Sequence, residues 1–152
     1  METIGFIGLG NMGAPMAGRL LDAGFPLIVH DARAAAAGPL LARGARWAET
    51  PAAVAAGART IITIVPSSRE VRLVFEGPQG LLSALAADAL CIEMTSADPS
   101  ATRELAPKVE ARGAHLIDAP VSGGVRGANE GTLAIMVGGS LTLLERARPV
   151  LE

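Results

Sequence analysis

Three glycines, Gly8, Gly10 and Gly13, stand in a Gly-x-Gly-x-x-Gly spacing between the apolar run 4–8 and a stretch where Met12, Met16 and Leu20 recur at helical intervals. A glycine turn joining a strand to a helix leaves peptide N–H groups free at the helix start, where the aligned peptide dipoles favour a negative charge. The spacing gives each glycine a task. Gly8 permits the tight turn, Gly10 lets the backbone approach a diphosphate, and Gly13 lets helix and strand pack closely. The expected chemistry is dinucleotide binding.

Asp31 follows the apolar run 27–30 directly, about 20 positions beyond the glycines. A carboxylate at that place accepts from an adenosine ribose hydroxyl and repels the extra phosphate that distinguishes NADP from NAD. NAD is the favoured cofactor. Arg33, two residues on, can pair with a 2'-phosphate and keeps NADP open. The alternative task for Asp31 is to cap a helix starting near residue 33.

A second constellation, Ser122-Gly123-Gly124, follows the strand-like run 115–118 and the dipeptide Ala119-Pro120. A hydroxyl and two glycines in a turn expose backbone donors that can cradle a carboxylate or phosphate, although an ordinary glycine-rich turn has the same composition. The remaining chemically able residues read as structural. Cys91 lies in an apolar strand-like run, His30 at a strand end, His115 at another strand, and Lys108 on a solvated helix face.

Short apolar runs at 4–8, 27–30, 46–48, 60–65, 90–93, 115–118 and 133–137 alternate with longer helical stretches. That rhythm predicts an α/β chain, a Rossmann-like doubly wound and mostly parallel sheet with helices on both faces. Thr50-Pro51 and Asp98-Pro99 each set a capping side chain before a proline at the first helical position, and Ser67-x-x-Glu70 has the spacing of a capping box. Pro107 falls inside the helix expected over 99–112 and predicts a kink or a break there.

With 152 residues the chain is expected to form one dinucleotide-binding domain, 1–152, large enough for its own core. Mean hydropathy is +0.40, but no apolar run approaches the ~20 residues that span a bilayer, and residues 1–2 carry no basic leader. Neither a membrane nor a secretory route is expected, and the cytosol is the default. Net charge is -2 and tyrosine is absent, so no basic stripe or stacking platform marks a nucleic-acid partner.

The segments 8–17 and 118–139 together resemble the β-hydroxyacid dehydrogenase family, and the resemblance extends over essentially the whole chain. It implies that Gly8, Leu9, Gly10, Asn11, Met12 and Gly13 hold the cofactor diphosphate. By the same resemblance Val65-Pro66 lines the cofactor, Glu70 is a further contact, Thr95 and Ser96 approach the nicotinamide ribose, and Ser122, Gly123 and Gly124 anchor the carboxylate of a small hydroxy acid. The family's reaction moves a hydride between nicotinamide and a β-hydroxy acid, with a lysine on a later helix assisting proton transfer. No residue of this chain matches that lysine, so the catalytic group and an all-helical substrate domain are expected beyond residue 152. The 152 residues are then expected to bind cofactor without turnover. The full-length form is expected to be a homo-oligomer, with this portion a weak dimer through exposed apolar surface near the final strands. Two other readings are a stand-alone dinucleotide sensor, and the cofactor domain of a phosphogluconate dehydrogenase or imine reductase relative.

Overall fold

The computed structural model describes residues 1–96 and 98–152. Six parallel strands, β1 (Ile4–Ile7), β2 (Leu27–His30), β3 (Arg46–Trp47), β4 (Thr60–Thr63), β5 (Leu90–Glu93) and β6 (His115–Asp118), form one sheet in the order β3-β2-β1-β4-β5-β6. Strands β1, β4 and β5 are buried at every position, as expected when helices cover both faces of a parallel sheet. The helices are α1 (Gly13–Asp22), α2 (Gly38–Leu41), α3 (Pro51–Gly57), α4 (Ser68–Glu76), α5 (Pro99–Glu110), α6 (Gly124–Glu130) and α7 (Leu141–Leu151).

Alternation along the strands sorts the core into two layers. Ile4, Phe6, Val29, Ile62 and Ile92 pack on the side that holds Leu20 of α1 and Ala147 and Val150 of α7. Ile7, Ile28, Ile61 and Cys91 pack on the other, against Val54 of α3, Phe75 of α4 and Leu105 of α5. Cys91 is a buried apolar residue, and burial pushes its thiol up to about 12. Strand order reverses between β1 and β4, so the loops leaving these two strands diverge and open a crevice at their carboxyl ends. No helix among the described residues is long and apolar enough to cross a membrane.

Two expectations need correction, and of the kink or break expected at Pro107 the break is absent. The run 133–137 does not join the parallel sheet: β8 (Ala134–Ile135) pairs antiparallel with β7 (Val121–Ser122) in a separate ribbon. An isolated antiparallel bridge between Asp118 and Gly138 ties that ribbon to the end of β6. Strand β4 stops at Thr63 because, after Ile64 donates to Ile7, the Val65 N–H turns to a side chain, the hydroxyl of Thr95. Pro107 does not break its helix, since α5 runs through it to Glu110. Its missing N–H leaves the carbonyl of Arg103 free on an exposed face where water can replace the lost bond.

The caps at Thr50 and Asp98 are as expected, accepting from Ala53 N–H (3.0 Å) and Ser100 N–H (3.0 Å). Ser67 also caps α4, but through Arg69 N–H (3.3 Å), and Glu70 accepts from the Ser67 hydroxyl.

Candidate dinucleotide-binding site

A cleft of about 840 Å³ opens at the carboxyl ends of β1, β2 and β4, floored by the glycine turn. Gly8 sits at φ +103°, and a Cβ there would stand 1.8 Å from the Ile64 carbonyl oxygen; a Cβ on Gly13 would stand 1.8 Å from the Gly8 carbonyl oxygen. Both glycines are therefore fixed by backbone approaching backbone. Gly10 differs, for its missing Cβ faces open space and the residue lines the cleft. Helix α1 begins after Met12 with no side-chain cap. Among the described residues nothing accepts a hydrogen bond from the N–H groups of Gly10, Asn11, Met12 and Gly13. All four residues line the cleft. An uncapped helix start, an open approach and free donors fit the diphosphate of a dinucleotide.

Leu9 contributes differently from its neighbours. Its side chain is buried in the core and does not line the cleft, while its N–H donates to Asp31 Oδ2 at 2.7 Å. The other carboxylate oxygen of Asp31 accepts from Arg33 N–H at 2.8 Å. Asp31 thus clamps the glycine turn to the end of β2 and also lines the cleft, with Arg33 beside it. A carboxylate oxygen has a second lone pair, so both oxygens keep acceptor capacity for a ribose hydroxyl. His30 is a packed imidazole: Nδ1 lies 2.9 Å from the Ala48 carbonyl and the ring centroid 5.4 Å from that of Trp47.

Val65, Pro66 and Glu70 form the opposite wall. The Ser67 hydroxyl, followed by backbone donors, holds the Glu70 carboxyl below its usual range. Ser96 lines the cleft, whereas Thr95 lies beneath the surface with 4% exposure, its hydroxyl accepting from Val65 N–H at 3.0 Å. Of Ser122, Gly123 and Gly124, only Gly124 lines the cleft. Ser122 is an exposed residue of β7, and Gly123 (φ +135°) and Gly124 (φ +61°) turn the chain from the ribbon into α6. Lys108, on α5, pairs with Glu76 of α4 and does not line the cleft.

Sequence reasoning missed several cleft residues, among them Pro51, Ile64, Leu73, Val74, Met94 and Val121. Leu73 is 55% exposed on α4, and an apolar side chain left in solvent one turn from a cleft-facing Glu70 was the available signal. A second omission is Glu93, 1% exposed at the end of β5. It is hydrogen-bonded to Thr63 and accepts from Thr95 N–H at 2.7 Å. Burial holds its carboxyl above the usual range against the hydrogen bonds that favour its charged form.

Residues 3–152 match the family model described as the NAD binding domain of 6-phosphogluconate dehydrogenase. The chain is 42% identical over all 152 of its residues to a 3-hydroxyisobutyrate dehydrogenase of Pseudomonas aeruginosa, covering 51% of that protein. It is also 42% identical over the same length to an NAD-dependent L-serine dehydrogenase of that organism, again covering 51%. The structure of Mycobacterium tuberculosis 3-hydroxyisobutyrate dehydrogenase with L-serine superposes at a TM-score of 0.93 with 40% identity, over 100% of this chain and 51% of that one. The chain spans about half the length of the curated relatives it matches. With the fold, the uncapped glycine turn and these likenesses in agreement, the chain belongs to the NAD-binding domain family named for 6-phosphogluconate dehydrogenase, on its β-hydroxyacid dehydrogenase side.

Proposed function

We propose that this domain serves a dehydrogenase that exchanges a hydride between NAD and a small β-hydroxy acid. The observation that carries the reading is the set of four unpaired N–H groups, from Gly10 to Gly13, facing a cleft whose one end is closed by Asp31. The diphosphate takes these donors, the helix dipole of α1 stabilises its charge, and Asp31 accepts from the adenosine ribose. Val65, Pro66 and Glu70 wall the middle of the cleft, Ser96 borders its far end, and Thr95 lies beneath the surface there, bonded to Val65 N–H. Ser122, Gly123 and Gly124 offer the acid's carboxylate a hydroxyl and backbone donors. Two similar proteins are named for 3-hydroxyisobutyrate and L-serine, and both compounds are β-hydroxy acids.

Bound nicotinamide supplies the hydride acceptor or donor; the chain's own part is to hold, orient and shield. A base must come within about 3 Å of the hydroxyl proton, directly or through one water. Lys108 pairs with Glu76 and does not line the cleft, so proton transfer is assigned to a lysine outside these 152 residues, on a following helical domain. Large apolar side chains stand exposed on α6 (Val125), after β8 (Met136) and at the start of α7 (Leu141), and support self-association. Light scattering at rising concentration is expected to show mass above the monomer; an unchanged monomer mass refutes that part.

The test is titration with NADH and NADPH, read by nicotinamide fluorescence. Tighter NADH binding, with no turnover of 3-hydroxyisobutyrate or L-serine by the 152 residues, is the expected result. Tighter NADPH binding overturns the assignment of Asp31, and binding of neither overturns the cofactor reading.

A further inference from the structure

The cleft has a direction. With the diphosphate at the start of α1 and the adenosine ribose at Asp31, the other half of a dinucleotide is forced toward the end bordered by Val65, Ser96 and Gly124. Two loops form that end, one leaving β4 and one leaving β5, and neither is held by sheet bonds past Ile64 and Met94. Their connection is made by side chains. Thr63 and Glu93 are register partners on β4 and β5, and the two side chains are hydrogen-bonded. The second oxygen of Glu93 accepts from Thr95 N–H at 2.7 Å, and the Thr95 hydroxyl accepts from Val65 N–H at 3.0 Å. The chain of contacts therefore starts on β4, crosses to β5 through Glu93, and returns to the β4 loop through Thr95.

Building on the cofactor reading above, we infer that Glu93 is a positioning residue for the nicotinamide half of the cofactor, acting through Thr95 to hold the Val65 and Ser96 loops at the far end of the cleft. Its side chain does not reach the cleft; Thr63 and Glu93 are 0% and 1% exposed, so the effect on a ligand passes entirely through the loops. A core carboxyl on an otherwise apolar strand is unfavourable to bury without partners, and an isosteric leucine would pack there more easily. What leucine cannot do is accept from Thr95 N–H while bonding Thr63. An amide can do both, with its oxygen accepting from Thr95 and its NH₂ donating to the Thr63 hydroxyl.

Four variants separate positioning from general stability: Thr95→Val, Thr95→Ser, Glu93→Leu and Glu93→Gln. NADH probes the whole cleft and AMP only the adenosine half. Thr95→Val leaves the half-buried Val65 N–H without its acceptor, and its NADH affinity is expected to fall about tenfold with AMP affinity unchanged. Bound-NADH fluorescence is expected to fall with it as the nicotinamide end loosens. Thr95→Ser, which keeps the hydroxyl, restores both readouts. Glu93→Leu is expected to repeat the loss and Glu93→Gln to rescue it; if Glu93→Leu fails to fold, the Thr95 pair decides. Equal NADH affinity in wild type, Thr95→Val and Glu93→Leu overturns the inference while leaving the cofactor reading intact. A parallel loss of NADH and AMP in Thr95→Val also overturns it, because damage has then spread beyond the far end. Wild-type protein that binds neither probe overturns the cofactor reading itself.

Discussion

Glycines eight, ten and thirteen share a residue type and differ in the reason for it. A Cβ on Gly13 meets a backbone oxygen at 1.8 Å, and no side-chain rotation relieves that contact. Gly13→Ala is expected to destabilise the fold by about 3 kcal/mol or more, with a matching fall in Tm. Gly10→Ala meets nothing within 4 Å, so its Tm is expected to stay within about 3 °C of wild type. Its new methyl group would enter the open space into which the proposed function puts a diphosphate, and NADH affinity is expected to drop at least about tenfold. Melting curves and NADH titration of the two variants check the contrast; a Gly10→Ala protein that binds as wild type refutes the role given to that glycine. The tight turn at Gly8 and the close packing at Gly13 were legible because spacing reports backbone conformation directly. Glu93 was not. At the end of an apolar strand it reads as the first polar residue outside, and only the neighbouring loops, set by β4 and β5 together, show that it is inside. For the same reason Leu9 was placed in the site by its motif but faces the core, contributing only its N–H.

At the scale of elements, the parallel strands were legible from short apolar runs, and two of the helix starts from capping residues whose geometry is local. Pairing partners are non-local, which is why the run 133–137 read as a seventh sheet strand and Ser122 as part of a turn, when 134–135 and 121–122 form a ribbon. Proline at position 107 shows how packing overrides propensity. Leu105 and Val109 on the buried face of α5 anchor the helix on both sides of it, so the helix continues at the expense of one hydrogen bond. Pro107→Ala restores the N–H opposite Arg103 and removes the ring from an exposed face. We expect it to stabilise the domain by about 1–3 kcal/mol, a rise of several degrees in Tm with NADH affinity unchanged, since α5 does not line the cleft. A lower Tm refutes the view that the helix tolerates the ring only under compulsion.

The whole molecule carries carboxyls that respond to pH in opposite senses. Glu70, Asp98 and Glu145 are held below their ordinary values by hydrogen bonds, so their contribution is present at neutral pH and disappears as acid protonates them, below 4.5 for the two glutamates and below 3.8 for Asp98. Glu93 and Asp118 are register partners on β5 and β6, both held above the ordinary range by burial, and the charge of Asp118 adds to the effect on Glu93. An acid whose folded value is raised binds its proton more tightly in the native state. Its contribution is therefore complete below the unfolded value of 4.5 and is lost as pH rises through the raised one. A tenfold difference in proton affinity corresponds to about 1.4 kcal/mol. The facing Cys91 thiol, pushed up to about 12, adds no charge in this window. Wild-type Tm is accordingly expected to decline as pH rises above 4.5 and Glu93 is forced to charge in an apolar layer. Glu93→Gln cannot charge, and its decline with rising pH is expected to be shallower. Melting curves of the two proteins at matched ionic strength that run parallel from pH 5 to pH 8 would mean that Glu93 is already ionised at pH 5. The bracket between the two loops would then be a charged one, with the Thr63 hydroxyl donating to the Glu93 carboxylate.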